Sequence, residues 1–425
     1  MEKMELLAPA GSLEKLKFAY AYGADAAYAG VPFFSLRARE NDFNIEKLKE
    51  ATELRTRLGK KLFLTLNIFA RNRKIKPFKE QIGEIAALKP DAFIMSDPGL
   101  IAMVKEAHPE IPIHLSVQAN CMNWQAVKFW HQSVGVSRII LSRELNLNEI
   151  TEIKNHVPDV ELEAFVHGAI CIAYSGRCLM SSYFSYRDAN QGVCDNSCRE
   201  KFKVYETPKQ DKDYFIEDLR NKGEFYQISE DENGTYLMNA KDLNVIEHLD
   251  KIRESGVCSL KIEGRTKSIY YLSLVSKAYR KALDDLYAGK PFDPKIHDEL
   301  AKISNRGYHT GFMIQDPDQN SQNYDTGISR YYSQRFAGVV REDENNLKDC
   351  LAIEVRNKVQ KGQTFEVITP DGTEHFVIDD IYNEKGELTD VAHGGTGIKY
   401  FKSPIQAPPY SIVSLVEDHQ ASLRN

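Results

Sequence analysis

Short apolar runs alternate with amphipathic stretches along the first 170 residues of this sequence. That alternation is typical of repeated βα units, in which buried parallel strands are connected by helices. The stretch at 12–22 is helical in pattern, because Ser12 is placed to cap it and apolar residues follow at helical spacing. Seven strand-like runs lie at residues 4–7, 26–29, 62–66, 92–95, 113–117, 138–141 and 162–166. The pattern predicts an α/β fold with a parallel sheet.

An eighth strand-like run, Ser259-Leu-Lys-Ile-Glu-Gly264, precedes a helical segment at 268–287. Eight βα units predict a closed (βα)8 barrel of the TIM type, whose usual length is about 250 residues. The alternative is a doubly wound open sheet, which would be expected to carry a glycine-rich phosphate turn after its first strand. Ala8-Pro-Ala-Gly-Ser12 is not such a turn. The barrel is therefore the favoured prediction.

Residues 167–258 separate the seventh and eighth runs. A segment this long inside a compact domain is usually functional. It leaves the predicted barrel at the carboxyl end of a strand, which is the face where barrel enzymes keep their chemistry. We therefore predict a functional insertion after strand seven, inside a barrel domain that covers residues 1–312.

The pattern changes after a polar connector at 313–334. Short alternating runs with turn signals follow, and they predict a small antiparallel β-barrel domain over residues 335–425. The strand-like runs of this domain lie at 337–340, 351–355, 364–368, 376–378 and 412–416.

The net charge of −6 provides no overall basic field, so any contact with nucleic acid must use a local patch of Lys and Arg. The first residues lack the apolar run of a signal peptide, and no later segment approaches the roughly 18 apolar residues of a membrane span. We therefore expect a cytoplasmic protein with no membrane partner. The sequence leaves the oligomeric state open.

Four of the seven cysteines fall between positions 171 and 198. This clustering indicates a metal site, since a secreted disulfide framework is usually small, cysteine-dense and even in cysteine count. Thiolates suit both iron–sulfur clusters and zinc, but structural zinc commonly uses two tight pairs of cysteines. Only Cys194 and Cys198, with three residues between them, form such a pair. An iron–sulfur cluster on Cys171, Cys178, Cys194 and Cys198 is the main prediction, with zinc and metal-free buried thiols as alternatives.

Polar residues just after the predicted strands converge on one mouth of a closed barrel. These residues are Asn67, Gln118, Asn120, Arg143, His167, Glu263 and Arg265. We assign His167, Glu263 and Arg265 to catalysis. The residues assigned to substrate binding are Asn67, Gln118, Asn120, Arg143 and again Arg265.

Four segments of the sequence carry a family resemblance. They are Glu5-Leu-Leu-Ala-Pro-Ala-Gly-Ser12, His167-Gly-Ala-Ile-Cys-Ile-Ala-Tyr-Ser-Gly-Arg-Cys178, Asn190-Gln-Gly-Val-Cys194 with Cys198-Arg199, and Ser259-Leu-Lys-Ile-Glu-Gly-Arg-Thr-Lys-Ser268. Over essentially all of its length the chain resembles the collagenase-like peptidase family of unassigned catalytic type, peptidase family U32. Within that family it is most similar to a branch that acts in tRNA hydroxylation.

The resemblance implies formation of 5-hydroxyuridine at the wobble uridine of tRNA anticodons. The implied partners are the tRNA anticodon stem-loop and prephenate, a small dicarboxylate metabolite that acts as co-substrate. Because arginine forks are the usual bidentate partners of carboxylates, Arg143 and Arg265 are the favoured residues for it. The resemblance also implies a [4Fe-4S] cluster on the four clustered cysteines. Relatives differ in the fourth ligand, so Cys258 is the substitute for Cys198.

Two smaller expectations accompany the resemblance. A flipped pyrimidine is expected to stack on an aromatic side chain, for which Tyr174, Tyr183 and Phe184 are candidates. The segment Asn239-Ala-Lys-Asp242 resembles another motif of the family, and the alternative is that Asp242 caps a helix beginning at Leu243.

Two other functions stay open at this point. The family name implies a peptidase, which needs an activated nucleophile or a metal-bound water. The sequence contains no H-E-x-x-H and no G-x-S-x-G motif, although His167 could act as a base near Cys171. The second alternative is a non-catalytic RNA-binding scaffold.

Overall fold

The computed structural model describes residues 3–36, 41–171, 173–174, 176–178, 180–181, 187–199, 202–206, 214–218, 225–228, 240–315, 333–342 and 347–416. The first part of the barrel consists of β1 (Glu5–Ala10), α1 (Leu13–Ala21), β2 (Ala26–Gly30), α2 (Ile45–Leu58), β3 (Lys61–Leu66), α3 (Ile75–Ala87), β4 (Ala92–Met95) and α4 (Pro98–Ala107). The next elements are β5 (Ile113–Leu115), α5 (Trp124–Lys128), β6 (Arg138–Ile140), α6 (Leu147–His156) and β7 (Glu161–Gly168). Among the helices that the structure describes, none has both the length and the apolar character needed to cross a membrane.

An insertion separates β7 from the last barrel strand. It contains β8 (Phe202–Glu206), β9 (Tyr214–Asp218) and β10 (Phe225–Ile228), which form an antiparallel three-stranded sheet that the sequence pattern did not indicate. The chain then continues through β11 (Asp242–Asn244), α7 (Leu249–Glu254), β12 (Ser259–Ile262), α8 (Ile269–Tyr287), α9 (Lys295–Ala301) and β13 (Tyr308–His309).

The eight predicted barrel strands are β1 to β7 and β12. Each strand from β1 to β6 pairs in parallel with the strand that follows it, and β12 closes the barrel by pairing in parallel with both β7 and β1. The caps of two predicted helices are also present, since the Ser12 and Ser268 hydroxyls accept hydrogen bonds from Lys15 N and Tyr271 N, each at 3.2 Å. The predicted TIM-type barrel is thus confirmed.

A network of paired, buried charges lies inside the barrel. Arg138 Nη1 lies 2.6 Å from Glu5 Oε1 and 3.2 Å from Glu163 Oε2. Glu163 also accepts a hydrogen bond from Lys261 Nζ at 2.7 Å, so its two oxygens are shared between two cations. Each of these charges is paired, which offsets the large cost of removing it from water.

Strand β7 carries a bulge just before the insertion. Phe165 pairs with Lys261, but the next pair joins His167 to Ile262, so Val166 is an extra residue on β7. Because side chains alternate along a strand, one extra residue moves those that follow it to the opposite face. His167 therefore turns outward toward α8, where its ring centroid lies 5.6 Å from that of Tyr279.

The chain after the insertion differs from the prediction. Leu243 lies in β11, which pairs antiparallel with the end of β7, so the expectation of a helix beginning there is wrong. Asp242 is not a helix cap, because its buried carboxylate lies against Arg306, with Nε 3.1 Å from Oδ1. The ion pair and the strand pairing together fix this short polar segment.

The strands of the C-terminal unit are β14 (Gln334–Val340), β15 (Cys350–Val355), β16 (Val359–Gln360), β17 (Thr364–Ile368), β18 (Thr373–Val377), β19 (Ile381–Tyr382), β20 (Leu388–Thr389), β21 (Val391–Ala392), β22 (Ile398–Lys402) and β23 (Ile412–Val416). Eight of them form a curled antiparallel sheet in the order β18-β17-β23-β14-β15-β22-β19-β20. It has its own apolar core, around buried side chains that include Ile353, Phe365 and Phe401. The predicted antiparallel unit is confirmed, and β22 is a central strand that the sequence pattern missed.

Helices α1 and α8 hold this sheet against the barrel. The Tyr22 hydroxyl, just after α1, lies 2.9 Å from the carbonyl oxygen of Ile368. Lys277 Nζ on α8 donates to the carbonyl oxygens of Thr369 and Gly372, at 2.7 and 2.8 Å. These hydrogen bonds hold the turn between β17 and β18 against the barrel through the backbone of the turn.

Candidate active site at the barrel mouth

The carboxyl ends of the barrel strands open into a cleft of about 1240 Å³, including its open side. We call this space the mouth cavity. The residues that line it come from the barrel strands, the loops after them and the start of the insertion. They include Tyr28, Thr65, Asn67, Gln118, Arg143, Phe165, Cys171, Tyr174, Cys178, Cys194, Cys198, Lys261, Glu263 and Arg265.

All four clustered cysteines line the mouth cavity. They are free thiols, with Cys171 exposed and the other three half-buried. Burial raises the pKa of the Cys178 thiol, and Cys171 and Cys194 raise it further, so these three sulfurs lie within electrostatic reach of one another. In the described part of the chain, no three His, Cys, Asp or Glu side chains are arranged around a single ion.

Backbone amides face two of these sulfurs. Asn196 N lies 3.4 Å from Cys194 Sγ. The amides of Met180 and Ser181 donate to Cys178 and oppose the rise in its pKa that burial causes. Iron–sulfur clusters are held by cysteine thiolates, and hydrogen bonds to the sulfurs tune them. These four thiols therefore fit an iron–sulfur cluster in number and kind, because the thiolates of a cluster bind several irons and need not surround a single ion.

Cys258, the alternative fourth ligand, lies at the opposite end of the barrel. It precedes β12, and its thiol donates a hydrogen bond to the carbonyl oxygen of Leu162 at 3.3 Å. Burial raises its pKa to about 11. Because Cys198 lines the mouth cavity and Cys258 does not, the geometry favours Cys198 as the fourth thiol.

Arg143 and Glu263 form an ion pair on the cavity wall. Arg143 Nη2 lies 3.1 Å from Glu263 Oε2, and the guanidinium carbon lies 3.7 Å from the centroid of the Phe165 ring. Stacking on an aromatic face orients the guanidinium and adds a cation–π attraction. The two charges come from loops after β6 and β12, so the pair also ties those loops together.

Arg265 forms another part of the wall and is buried. Its Nη1 donates to Thr65 Oγ1 at 3.0 Å, and its Nη2 donates to the carbonyl oxygen of Leu36. A Cβ at Gly30 would lie 2.7 Å from Arg265 Nη1, so a larger residue there would force this guanidinium to shift. Arg265 thus connects the loop after β2 to β3 while it faces the cavity.

The amide side chains divide into two groups. Asn67 and Gln118 line the mouth cavity, and Asn67 Nδ2 lies 3.4 Å from Ser116 Oγ. Asn120 adopts a left-handed backbone conformation with φ 52°, and its Oδ1 accepts a hydrogen bond from Ser142 Oγ at 2.7 Å. Asn120 is not among the residues that line the mouth cavity, and its role in substrate binding stays a prediction.

His167 also lies outside the mouth cavity. The bulge at Val166 places it on the outer face of β7, where it is fully buried among Tyr271, Tyr279 and Tyr308. Burial lowers its pKa to about 4, so the imidazole is neutral at physiological pH. The predicted position of His167 as a base at the barrel mouth is therefore wrong.

Tyr28 and Lys261 are cavity residues that the sequence prediction missed. Lys261 Nζ lies 4.2 Å from the centroid of the Tyr28 ring and pairs with Glu163. Burial lowers the pKa of Lys261, while Glu163 opposes that shift. A sign existed in the sequence, because Lys261 and Glu163 are opposite charges inside two predicted barrel strands.

One of the three aromatic candidates for stacking can be located. Tyr174 lines the mouth cavity with 54% of its surface exposed. Tyr183 and Phe184 lie outside the described residues.

Comparison with known proteins identifies the family. The model of peptidase family U32 matches residues 11–323, and the model of the peptidase family U32 C-terminal domain matches residues 332–413. The chain belongs to peptidase family U32. The predicted family is therefore confirmed.

Curated relatives within the family carry two kinds of name. The chain is 45% identical to tRNA hydroxylation protein P of Escherichia coli (strain K12), over 93% of this chain and 92% of that protein. It is 31% identical to a collagenase of Porphyromonas gingivalis (strain ATCC BAA-308 / W83), over 73% of each. Among solved structures, the U32 peptidase Mk0906 aligns with 62% of this chain and 94% of that chain, at 14% identity and a TM-score of 0.38.

Proposed function

We propose that this U32 family member hydroxylates tRNA in the cytoplasm, converting the wobble uridine of anticodons to 5-hydroxyuridine with a [4Fe-4S] cluster and prephenate as co-substrate. The similarity to tRNA hydroxylation protein P over nearly the whole chain supports the reaction class. The observation that carries the proposal is that four thiols and the polar strand-end residues line one cavity. Chemistry and substrate recognition can thus meet at the same place.

In this proposal Cys171, Cys178, Cys194 and Cys198 hold the cluster, which would supply one-electron redox chemistry. Asn67 and Gln118 carry both donors and acceptors, so they can read the edge of a flipped pyrimidine. Tyr174 provides an exposed aromatic face for stacking.

Three cations on the cavity wall suit a dicarboxylate. Arg143, Lys261 and Arg265 all line the mouth cavity, and Glu263 is the one carboxylate among the described lining residues. Charge-assisted hydrogen bonds from guanidinium groups to carboxylates are among the strongest that proteins form. Arg143 is already paired with Glu263 and Lys261 with Glu163, so prephenate would share these two cations with the protein's own carboxylates, and the Arg143–Glu263 pair sets the orientation of one guanidinium.

The test measures iron content and wobble nucleosides for the same variants, in a host that lacks its own hydroxylation pathways. Cys171→Ala and Cys194→Ala should lose iron and 5-hydroxyuridine together. Arg265→Ala should keep the iron and lose the modification. Cys350→Ala is the matched control, because this cysteine lies in the C-terminal sheet, and it should keep both.

Two results would refute the proposal. Normal 5-hydroxyuridine in an iron-free Cys171→Ala strain would exclude a role for the cluster. Unchanged nucleosides in every variant, with tRNA still bound, would identify an RNA-binding scaffold. Cleavage of gelatin by the purified protein would instead support the peptidase alternative, although the burial of His167 removes the base that the sequence suggested for Cys171.

A further inference from the structure

Residues 71–79, which follow β3, form a strongly basic segment. It contains five cations and no carboxylate, namely Arg71, Arg73, Lys74, Lys76 and Lys79. In the described part of the chain, ion pairs are formed by Arg71 with Asp188 and by Lys76 with Glu80. Since the whole chain has a net charge of −6, this is the kind of local patch through which an acidic protein can bind a polyanion.

The basic segment adjoins the cysteine-bearing wall of the mouth cavity. Arg71 Nη2 lies 2.9 Å from Asp188 Oδ2, and 63% of the Arg71 side chain remains exposed. Gln191 Nε2 donates to the carbonyl oxygen of Phe69. Ala189, between these two contacts in the chain, lines the cavity itself. A ligand held by the basic segment would therefore lie beside the opening.

Phe33 presents an aromatic ring next to these cations. It is 69% exposed, whereas the adjacent Phe34 is buried and packs edge-to-face on Phe78. Lys74 Nζ lies 5.5 Å from the centroid of the Phe33 ring and donates to its carbonyl oxygen at 3.0 Å. The like charge of Arg73 adds to burial in lowering the pKa of Lys74. An exposed ring and crowded cations thus share one surface.

The backbone of Phe33 is strained, with φ 65° in the left-handed region. A bulky residue rarely adopts this conformation, and such strain persists at sites where it serves a function. Here the left-handed turn directs one phenylalanine to solvent and the next into the core. Fold stability alone gives no reason for an exposed aromatic side chain at this position.

We propose that Phe33 and the basic segment 71–79 form a docking surface for the single-stranded loop of an RNA, with Phe33 stacking on a base and the cations binding phosphates. Loop recognition in RNA commonly combines stacking on aromatic rings with backbone contacts. This inference rests on the proposed function, since it places the loop of the substrate over the mouth cavity. It adds residues that no motif in the sequence assigned.

The test measures binding of an anticodon stem-loop RNA to the purified full-length chain, across a series of salt concentrations. Phe33→Ala should weaken binding about tenfold, which is the order expected for losing one stacked base. A blunt RNA duplex of equal charge should be unaffected by this change. Arg73→Gln should weaken both RNAs and reduce the slope of log K against log salt by about 0.7, as for one single-strand phosphate contact.

Matched controls come from the outer face of the barrel. Phe129→Ala removes another exposed aromatic ring, and Arg57→Gln removes an exposed cation of α2; neither should change RNA binding. Phe33→Gly separates binding from folding, because glycine adopts φ 65° without strain. This variant should be as stable as the parent and still bind the loop about tenfold more weakly.

The outcomes distinguish this inference from the proposed function. Unchanged loop affinity in Phe33→Ala and Phe33→Gly would overturn the docking surface, even if the parent forms 5-hydroxyuridine. Equal weakening of loop and duplex by Phe33→Ala would also overturn it, since stacking requires unpaired bases. A third outcome would support the docking surface and refute the hydroxylation. In it, only the docking-surface variants lose loop binding, and deletion of the protein leaves tRNA nucleosides unchanged.

Discussion

Burial of His167 predicts a measurable dependence of stability on pH. In the unfolded chain its pKa is the ordinary 6.5, and in the folded protein burial lowers it to about 4. Between these two values the unfolded state binds a proton that the folded state excludes. The free energy of unfolding therefore increases as pH rises from 4 to 6.5 and gains nothing further from this group above that range.

The size of the effect follows from the two pKa values. At pH 5 most unfolded molecules carry the proton and few folded molecules do. This difference lowers the free energy of unfolding by about 2 kcal/mol relative to neutral pH. His167→Gln removes the titrating ring. The fall in unfolding free energy between pH 7 and pH 5 should then be smaller by about 2 kcal/mol in the variant than in the parent.

Urea denaturation at both pH values, followed by circular dichroism, measures this difference. Tyr279→Phe is the matched control, since it changes a ring that contacts His167 without adding or removing a group that titrates between pH 5 and 7. It should lower stability equally at both pH values. If the unfolding free energies of the His167→Gln variant and the parent depended on pH in the same way, the outward, buried position of His167 would be refuted. His167 would then have to lie in the open mouth of the barrel.

Three further predictions concern stability and are checked by urea denaturation. Lys261→Met leaves Glu163 buried with Arg138 as its remaining cation and should cost about 3 kcal/mol; adding Glu163→Gln should recover part of that loss, and no recovery would contradict the pairing. Arg306→Met leaves the Asp242 carboxylate buried without its guanidinium and should cost about 3 to 5 kcal/mol, whereas a loss below about 1 kcal/mol would mean that Asp242 is hydrated. Ser12→Ala removes the N-cap of α1 and should cost about 1 kcal/mol.

The strands of the barrel were predictable because each is a short apolar run between helical segments. Both faces of a parallel barrel strand are buried, so the run is mostly apolar and stands out from its surroundings. The missed strand β22, Ile398–Lys402, contains two lysines in five residues. Its burial depends on neighbouring strands of the curled sheet, and that pairing is not a local property of the sequence.

The candidate site was predictable in part for the same geometric reason. Residues that follow parallel strands meet at one edge, which brought Asn67, Arg143 and Glu263 together in the mouth cavity. The bulge at Val166 was not predictable, because a single extra residue leaves no mark in the apolar pattern of β7. That one residue was enough to move His167 to the outer face.

The hydrogen bonds from Tyr22 and Lys277 to the C-terminal sheet all end on backbone carbonyl oxygens. One of them ends on Tyr410, just before β23, and the others follow the path of the chain from the end of β17 into the turn before β18, whatever side chains that turn carries. The turn can therefore change its sequence over evolutionary time without loosening the junction, provided that its shape is kept. Homologous turns of the same length should accordingly be exchangeable into this junction, whereas a turn lengthened by one residue should not be tolerated.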